Sequence, residues 1–138
     1  METNRVHVKI GGAAGQGIMT TGITFSKACT RGGLHVFDYV EYPSLIKGGH
    51  NTYQIRVEEN PVGCQIRLVN ILIALNKETI YIHEDEMAEN GIVVYDNEVI
   101  TEVPNLRNDI RLAGVPLARI AREAKADKLM ENTVALGA

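Results

Sequence analysis

The sequence has two cysteines, Cys29 and Cys64, and no C-x-x-C. Neither an iron–sulfur cluster nor a structural zinc site can be assembled from cysteines in this chain. So sparse a content suits a reducing cytoplasm. No apolar run approaches the roughly 18 residues of a membrane span. The opening METNRVHVKIGG lacks the apolar stretch of a signal peptide. Charge of one sign is missing as well: 14 Lys plus Arg stand against 17 Asp plus Glu, a formal net charge of -3. That balance leaves no general electrostatic footprint for nucleic acid. Internal repeats and low-complexity segments are also lacking. We read the chain as soluble and cytoplasmic, with neither nucleic acid nor membrane as partner. Its 138 residues are 45% hydrophobic and 22% charged, enough for one domain with one core.

Val6 to Ile10 alternates apolar and polar residues, a strand signal. It leads into Gly11-Gly12-Ala13-Ala14-Gly15-Gln16-Gly17. Ile18, Gly22, Phe25 and Cys29 then follow at helical spacing, with Gly32-Gly33 as the stop. Strand, glycine turn and helix open a βαβ unit. Strands are expected at His35–Tyr42 and Asn51–Glu58, with Cys64–Leu68 a candidate hairpin partner. Val69–Leu75, apolar apart from Asn70, reads as a strand buried on both faces. A helix over Lys77–Asn90 would end at Gly91 as its C-cap. Ile92–Tyr95 and, more weakly, Asp109–Leu112 read as strands, and Pro116–Met130 as a helix with Pro116 in its first turn. The pattern predicts an α/β three-layer sandwich, α/β/α, around a mostly parallel but mixed, Rossmann-like sheet. The apolar segment Asn132–Ala138 is expected to pack against something, and the single domain, residues 1–138, to be incomplete at its C-terminus.

The glycine turn carries the first candidate site. Glycine permits positive φ and close approach of a phosphate to backbone N–H groups, and a helix N-terminus adds free donors. The candidate binding residues are Gly12, Gly15, Gln16 and Gly17, with Thr20 on the first helical turn. The turn does not fit G-x-G-x-x-G, because Thr20 stands where the third glycine belongs. Nor does it fit the P-loop, because Ile18-Met19 replace Lys and Ser/Thr. A tight turn that serves only helix packing is the competing reading.

A second loop, Pro43 to His50, groups Ser44, Lys47, Gly48 and Gly49. A hydroxyl, a cation and two close-approach backbones can hold an anion, although a solvated surface turn has the same composition. The two loops would cooperate if parallel pairing placed both at the carboxyl edge of the sheet. His7 is expected to be exposed or packed; His83-Glu84-Asp85-Glu86 lacks a second His at metal spacing, and its acidic residues are expected to face solvent on a helix. Asp38 lies about 20 residues beyond the turn, where a ribose-binding acid can sit, but it reads rather as a solvent-facing strand residue. No nucleophile, base and orienter are tied together by spacing, so no catalytic residue and no metal ligand is assigned.

Taken jointly, these motifs resemble the gamma domain of the 2-oxoacid:ferredoxin oxidoreductases. The carriers are Gly11 to Gly17, Thr20-Thr21-Gly22, and Glu41-Tyr42-Pro43-Ser44-Leu45-Ile46-Lys47-Gly48-Gly49-His50-Asn51. G-Q-G with T-x-G, and the later Y-P-S-x-x-K-G-G-H, look like the form fused at the front of the alpha subunit. Val69–Leu75, Ile92–Asp96 and Asn132–Gly137 continue the likeness. Lys47 stands where the family often has Arg, and Asn70 where it commonly has Asp.

The resemblance implies a part in coenzyme A-dependent oxidative decarboxylation of a 2-oxoacid such as pyruvate or 2-oxoglutarate. Ferredoxin would accept the electrons. Thiamine diphosphate, Mg and iron–sulfur clusters would sit on partner domains or on alpha and beta subunits. This domain would cover the active site and contribute to coenzyme A binding, with Gly15, Gln16 and Gly17 near the nucleotide and Ser44, Lys47, Gly48 and Gly49 near phosphates or a neighbouring subunit. The isolated chain would be inactive. The alternative is a stand-alone nucleotide- or coenzyme A-binding regulatory or assembly module without catalysis. Replacing Lys47 by Ala is expected to weaken coenzyme A binding in the assembled enzyme; calorimetric titration giving an unchanged affinity would remove Lys47 from the site.

Overall fold

The computed structural model describes residues 5–42, 49–125 and 130–138. Strand β1 (Arg5–Ala13) places Val6, Val8 and Ile10 on one face and His7, Lys9 and Gly11 on the other, in keeping with its alternation. It runs three residues further than the periodicity suggests. Gly11 and Gly12 are paired in the ladder, opposite Thr52 and Asn51, which shortens the turn to Ala14–Gly17. Helix α1 (Ile18–Arg31) follows, then β2 (His35–Glu41) and β3 (His50–Glu58). After them come β4 (Val69–Ala74), α2 (Lys77–His83), a 3-10 turn at Glu84–Glu86, β5 (Met87–Asp96) and β6 (Arg111–Val115). Helices α3 (Leu117–Glu123) and α4 (Glu131–Gly137) complete the order.

The sheet runs β2-β3-β1-β4-β5-β6. Strands β1, β4, β5 and β6 are parallel neighbours, whereas β3 is antiparallel to both β1 and β2. The sheet is therefore mixed and covered on both faces. On one face Val8, Ile10, Tyr53, Ile55, Val57, Ile73 and Val94 pack with Ile18, Leu117 and Ala135 from α1, α3 and α4. On the other, Val69, Leu72, Met87 and Val93 pack with Ile80 of α2 and with Ile100.

Three expectations need correction. The helix expected over Lys77–Asn90 stops at His83, because Met87 is buried in the second core and pairs with Val69. Between Val69 and Ile71 the β4–β5 register shifts, and Gly91 lies inside β5 and is not a C-cap. A Cβ at Gly91 would come within 2.7 Å of the Met87 methyl. Cys64–Leu68 forms no strand; instead Gln65 Nε2 donates to the carbonyls of Phe37 at 2.8 Å and Gln54 at 3.3 Å. The helix expected over Pro116–Met130 ends at Glu123, where Ala124 N bonds Ile120 O and Lys125 turns left-handed with φ 54°. Leu129, counted in its apolar stripe, lies outside the described residues.

Asn70 accepts a hydrogen bond from His7 N at 2.9 Å and so fastens β4 to β1. That task needs an acceptor oxygen and no charge.

Helix α1 crosses β3 closely at Gly22, where a Cβ would fall well inside contact distance of the Tyr53 ring. Alanine would gain about 1 kcal/mol of helix propensity, but overpacking against a ring in the core costs about 1–3 kcal/mol. Gly22→Ala is therefore expected to lower the urea unfolding midpoint; a raised midpoint would show that Tyr53 yields without strain.

Candidate functional site

From β1 the chain turns through α1 toward β2, on one side of the sheet order; from β4 it turns through α2 toward β5, on the other. The β1/β4 boundary is thus the switch point at which α/β sheets form a ligand crevice beyond the carboxyl ends of their strands. The Ala14–Gly17 turn stands there. Gly15 has φ 94° and Gly17, the N-cap of α1, has φ 74°. A side chain is strained at both positions, which is why the turn needs glycine. Gly12 is needed for a different reason: a Cβ there would meet Gln16 Oε1 at 2.5 Å.

Gln16 spans the crevice. Its Oε1 accepts from Ala13 N, and its Nε2 donates to Leu75 O at 3.2 Å. The side chain therefore staples the end of β1 to the end of β4, a role its donor and acceptor capacity permits and its position in the sequence does not announce. Thr21 turns its hydroxyl back to Gly17 O at 3.2 Å, while Thr20 is exposed on the first helical turn. That turn carries no acidic residue and no side-chain cap, so its N–H groups are left to an incoming acceptor.

A cavity of about 680 Å³ opens beside the turn, walled by Gly15, Gln16, Leu75, Asp96, Leu117 and Arg122 among others. Its size is that of a small-molecule site. Asp96 is committed to structure: Oδ1 accepts from Glu98 N at 2.9 Å and Oδ2 from Ala118 N at 2.8 Å. Arg122 is exposed and brings a cation to the rim. Asn132 of α4 donates from Nδ2 to both Gln16 O and Gly17 O at 3.1 Å, so the turn is held from behind.

The second loop ends at the same edge, where His50 stands in register with Ala13. Its end is tied to the turn by Ala14 N donating to Gly49 O at 2.9 Å. Strands β1 and β2 do not pair with each other as the cooperation of the loops would suggest. Each lies antiparallel to β3, so they still point the same way. Ser44, Lys47 and Gly48 lie outside the described residues.

Asp38 is exposed yet held, accepting from Ser26 Oγ at 2.7 Å and Tyr53 OH at 2.9 Å. Burial and the Asp38 carboxylate together push the Tyr53 phenol up to about 12. His7 is packed, with Nδ1 2.6 Å from Leu68 O. Glu86 does not face solvent on a helix; it pairs with Lys9 and His83.

Asp96, Arg122 and Asn132 were missed as site residues. Each lies far from the turn in sequence. Only Asn132 carried a signal, as a polar residue entering an apolar segment. Asn132→Ala would take the amide donor from Gln16 O, while Gly17 O keeps Thr21 N and Oγ1, at a cost of about 1–3 kcal/mol. Chemical denaturation is expected to register that loss; a change under about 0.5 kcal/mol would mean that water replaces the amide.

The family model described as pyruvate ferredoxin/flavodoxin oxidoreductase matches residues 7–138. The ketoisovalerate oxidoreductase subunit VorA of Methanothermobacter thermautotrophicus is 31% identical over 137 residues, covering 99% of this chain and 28% of that protein. The chain thus spans little more than a quarter of that relative. The 2-oxoglutarate synthase subunit KorC of Methanocaldococcus jannaschii is 23% identical, covering 97% of this chain and 73% of that protein. Among solved structures, 2-oxoglutarate:ferredoxin oxidoreductase from Magnetococcus marinus, with 2-oxoglutarate, coenzyme A and succinyl-CoA bound, aligns with TM-score 0.87 and 29% identity over 97% of this chain and 23% of that one. A keto/oxoacid ferredoxin oxidoreductase gamma subunit from Geobacter sulfurreducens shares the fold, with TM-score 0.84 and 21% identity over 97% of this chain and 73% of that one. A family match over nearly the whole chain and a common six-stranded architecture agree, and the chain belongs to the pyruvate ferredoxin/flavodoxin oxidoreductase family.

Proposed function

We propose that the chain is the gamma-type component of a 2-oxoacid:ferredoxin oxidoreductase, and that its glycine turn and the adjoining cavity receive part of coenzyme A. The observation that carries this reading is a cavity lined by Gly15 and Gln16 of the glycine turn, at the switch point of the sheet and next to a helix start without a side-chain cap. Phosphate oxygens suit the N–H groups of the first turn of α1 and the Arg122 guanidinium. Leu75, Leu117 and Ala121 offer apolar wall to an adenine or a pantetheine arm. The Magnetococcus marinus enzyme, similar over 97% of this chain, holds coenzyme A. Gln16 acts here by holding the turn, and it reaches the ligand only through that backbone.

In this reading the 2-oxoacid loses carbon dioxide, the coenzyme A thiol takes the acyl group and ferredoxin takes the electrons. Thiamine diphosphate, Mg and iron–sulfur clusters, which supply the decarboxylation and electron-transfer chemistry, belong to alpha and beta partner domains or subunits. The chain's own residues bind and orient the coenzyme and help close the site to water. In this reading it is non-autonomous and cytoplasmic. Among the described residues no helix is long and apolar enough to cross a membrane.

Coenzyme A titrated calorimetrically into the purified protein, in whatever assembly it occupies, is expected to bind. Arg122→Ala should weaken binding about tenfold, the loss of one charge-assisted contact. Unaltered affinity would take Arg122 out of the site. Absence of binding in a protein that still co-purifies with thiamine-dependent subunits would instead favour the assembly reading of these loops.

A further inference from the structure

The sheet face turned away from α1 carries a second polar cluster, which stands apart from the cavity. It joins Lys9 of β1, His50 at the head of β3, His83 at the end of α2 and Glu86 in the 3-10 turn. Lys9 is 2% exposed and His83 5%. The Lys9 ammonium donates to Glu86 Oε2 and lies 3.3 Å from His83 Nδ1, which is also 3.0 Å from Glu86 Oε2. On its other side His83 Nε2 meets His50 Nε2 at 2.9 Å, with the rings 5.1 Å apart and tilted by 36°. Among the described residues His50 Nδ1 is buried without a partner. Gly11 makes room for the ring: a Cβ there would be 3.4 Å from His50 Cε1 and 2.5 Å from Thr79 Cγ2.

Two imidazole nitrogens at this separation can hold one hydrogen between them. Two neutral arrangements satisfy that condition. In one, His83 Nδ1 accepts from Lys9 and Nε2–H donates to His50. In the other, His83 Nδ1–H donates to Glu86 and accepts from His50 through Nε2. One added proton can still be taken at His83 Nδ1, facing Glu86. A second must go to His50 Nε2, where N–H would oppose N–H beside the Lys9 charge.

Among the described residues the remaining charged neighbours are few. Glu78 of α2 and Glu41 of β2 favour a charged His50, and Lys9 opposes it. Glu86 favours a charged His83, while Lys9 and His50 oppose it. Burial comes first for both rings and holds them below the ordinary value of 6.5. His7, on the same face of β1, turns to Leu68 O instead.

His50 stands in register with Ala13, and its neighbour Gly49 accepts the bond from Ala14 N. The imidazole pair therefore fastens to α2 the same backbone that frames the glycine turn. We propose that the His50–His83 contact is a proton-operated latch, closed while the pair shares one hydrogen and opened by double protonation, which frees the head of β3 and loosens the turn. This holds whether or not the turn binds coenzyme A. The sign follows from the lowered proton affinities: the unfolded chain binds more protons below pH 6.5, so the stabilisation is complete above that value and falls as the pH drops through the depressed range.

Hydrogen–deuterium exchange of the purified protein at about pH 7.5 and about pH 5, corrected for intrinsic rates, tests the latch across the histidine range. Peptides over residues 11–17 and 49–53 are expected to exchange about tenfold faster in acid, the equivalent of one unit of differential proton affinity, while those over 92–96 and 111–115 hold. His83→Gln, whose amide can donate but takes no proton, should abolish the acid step. A wild-type protein without that step, or a variant that keeps it, overturns the proposal. Should the variant fail to fold, nitrogen-15 spectra of the wild-type imidazoles decide: coupled titration with a shared hydrogen supports the latch, and two rings titrating independently near 6.5 overturn it.

Discussion

The end of β1 has to be bare on both faces. At Gly11 one face receives Thr79 and the edge of the His50 ring, and at Gly12 the other receives the Gln16 amide and Leu75. A methyl group at either position would lie 2.5 Å from an atom that is held in place. From this follow the approach of α2 to one face and the folding back of the turn onto the other. The Gln16 bridge to β4 follows too. Both glycines remain in the strand ladder while doing so, so they act through missing volume. Gly15 and Gly17 act through backbone conformation. Four glycines in one short run thus answer two different physical demands.

The same strand divides the chemistry of the domain. Beyond its carboxyl end lie helix N–H groups, a cavity and one exposed arginine, an arrangement open to a ligand. Along its other face lie an ammonium, a carboxylate and two imidazoles, which satisfy one another in the interior. A buried charge is tolerated only when paired, and Lys9 shows the rule: Glu86 is reached because the chain turns tightly after α2 instead of continuing as a helix. For Glu86, burial alone would raise the carboxyl, but the hydrogen bond and charge of Lys9 outweigh it, leaving it below the ordinary carboxylate range.

Much of this was legible in the residues. Alternation at Val6–Ile10 and apolar spacing after Gly17 locate β1 and α1, and the glycines between them locate the turn. What the sequence concealed were choices made by distant partners. Met87 to Asn90 reads as helix until Val69 offers a ladder and a core site to Met87. Lys9 reads only as a polar position of an alternating strand, because its partners lie 74 and 77 positions away. Asp96 and Asn132 bond backbone atoms that any residue would supply, so nothing in the partner's identity marks the contact. The family likeness reached the loops through their joint pattern, a signal that local periodicity does not contain.

Asn132 reaches the carbonyls of Gln16 and Gly17 across 116 and 115 positions. Contacts of such separation close late, since the entropy of the intervening loop must be overcome first. The glycine turn can therefore be nucleated by its own strand and helix long before it acquires its final rigidity. During synthesis the first piece of the domain to emerge is among the last to set, and nascent chains lacking α4 would carry a correctly placed but unsupported turn.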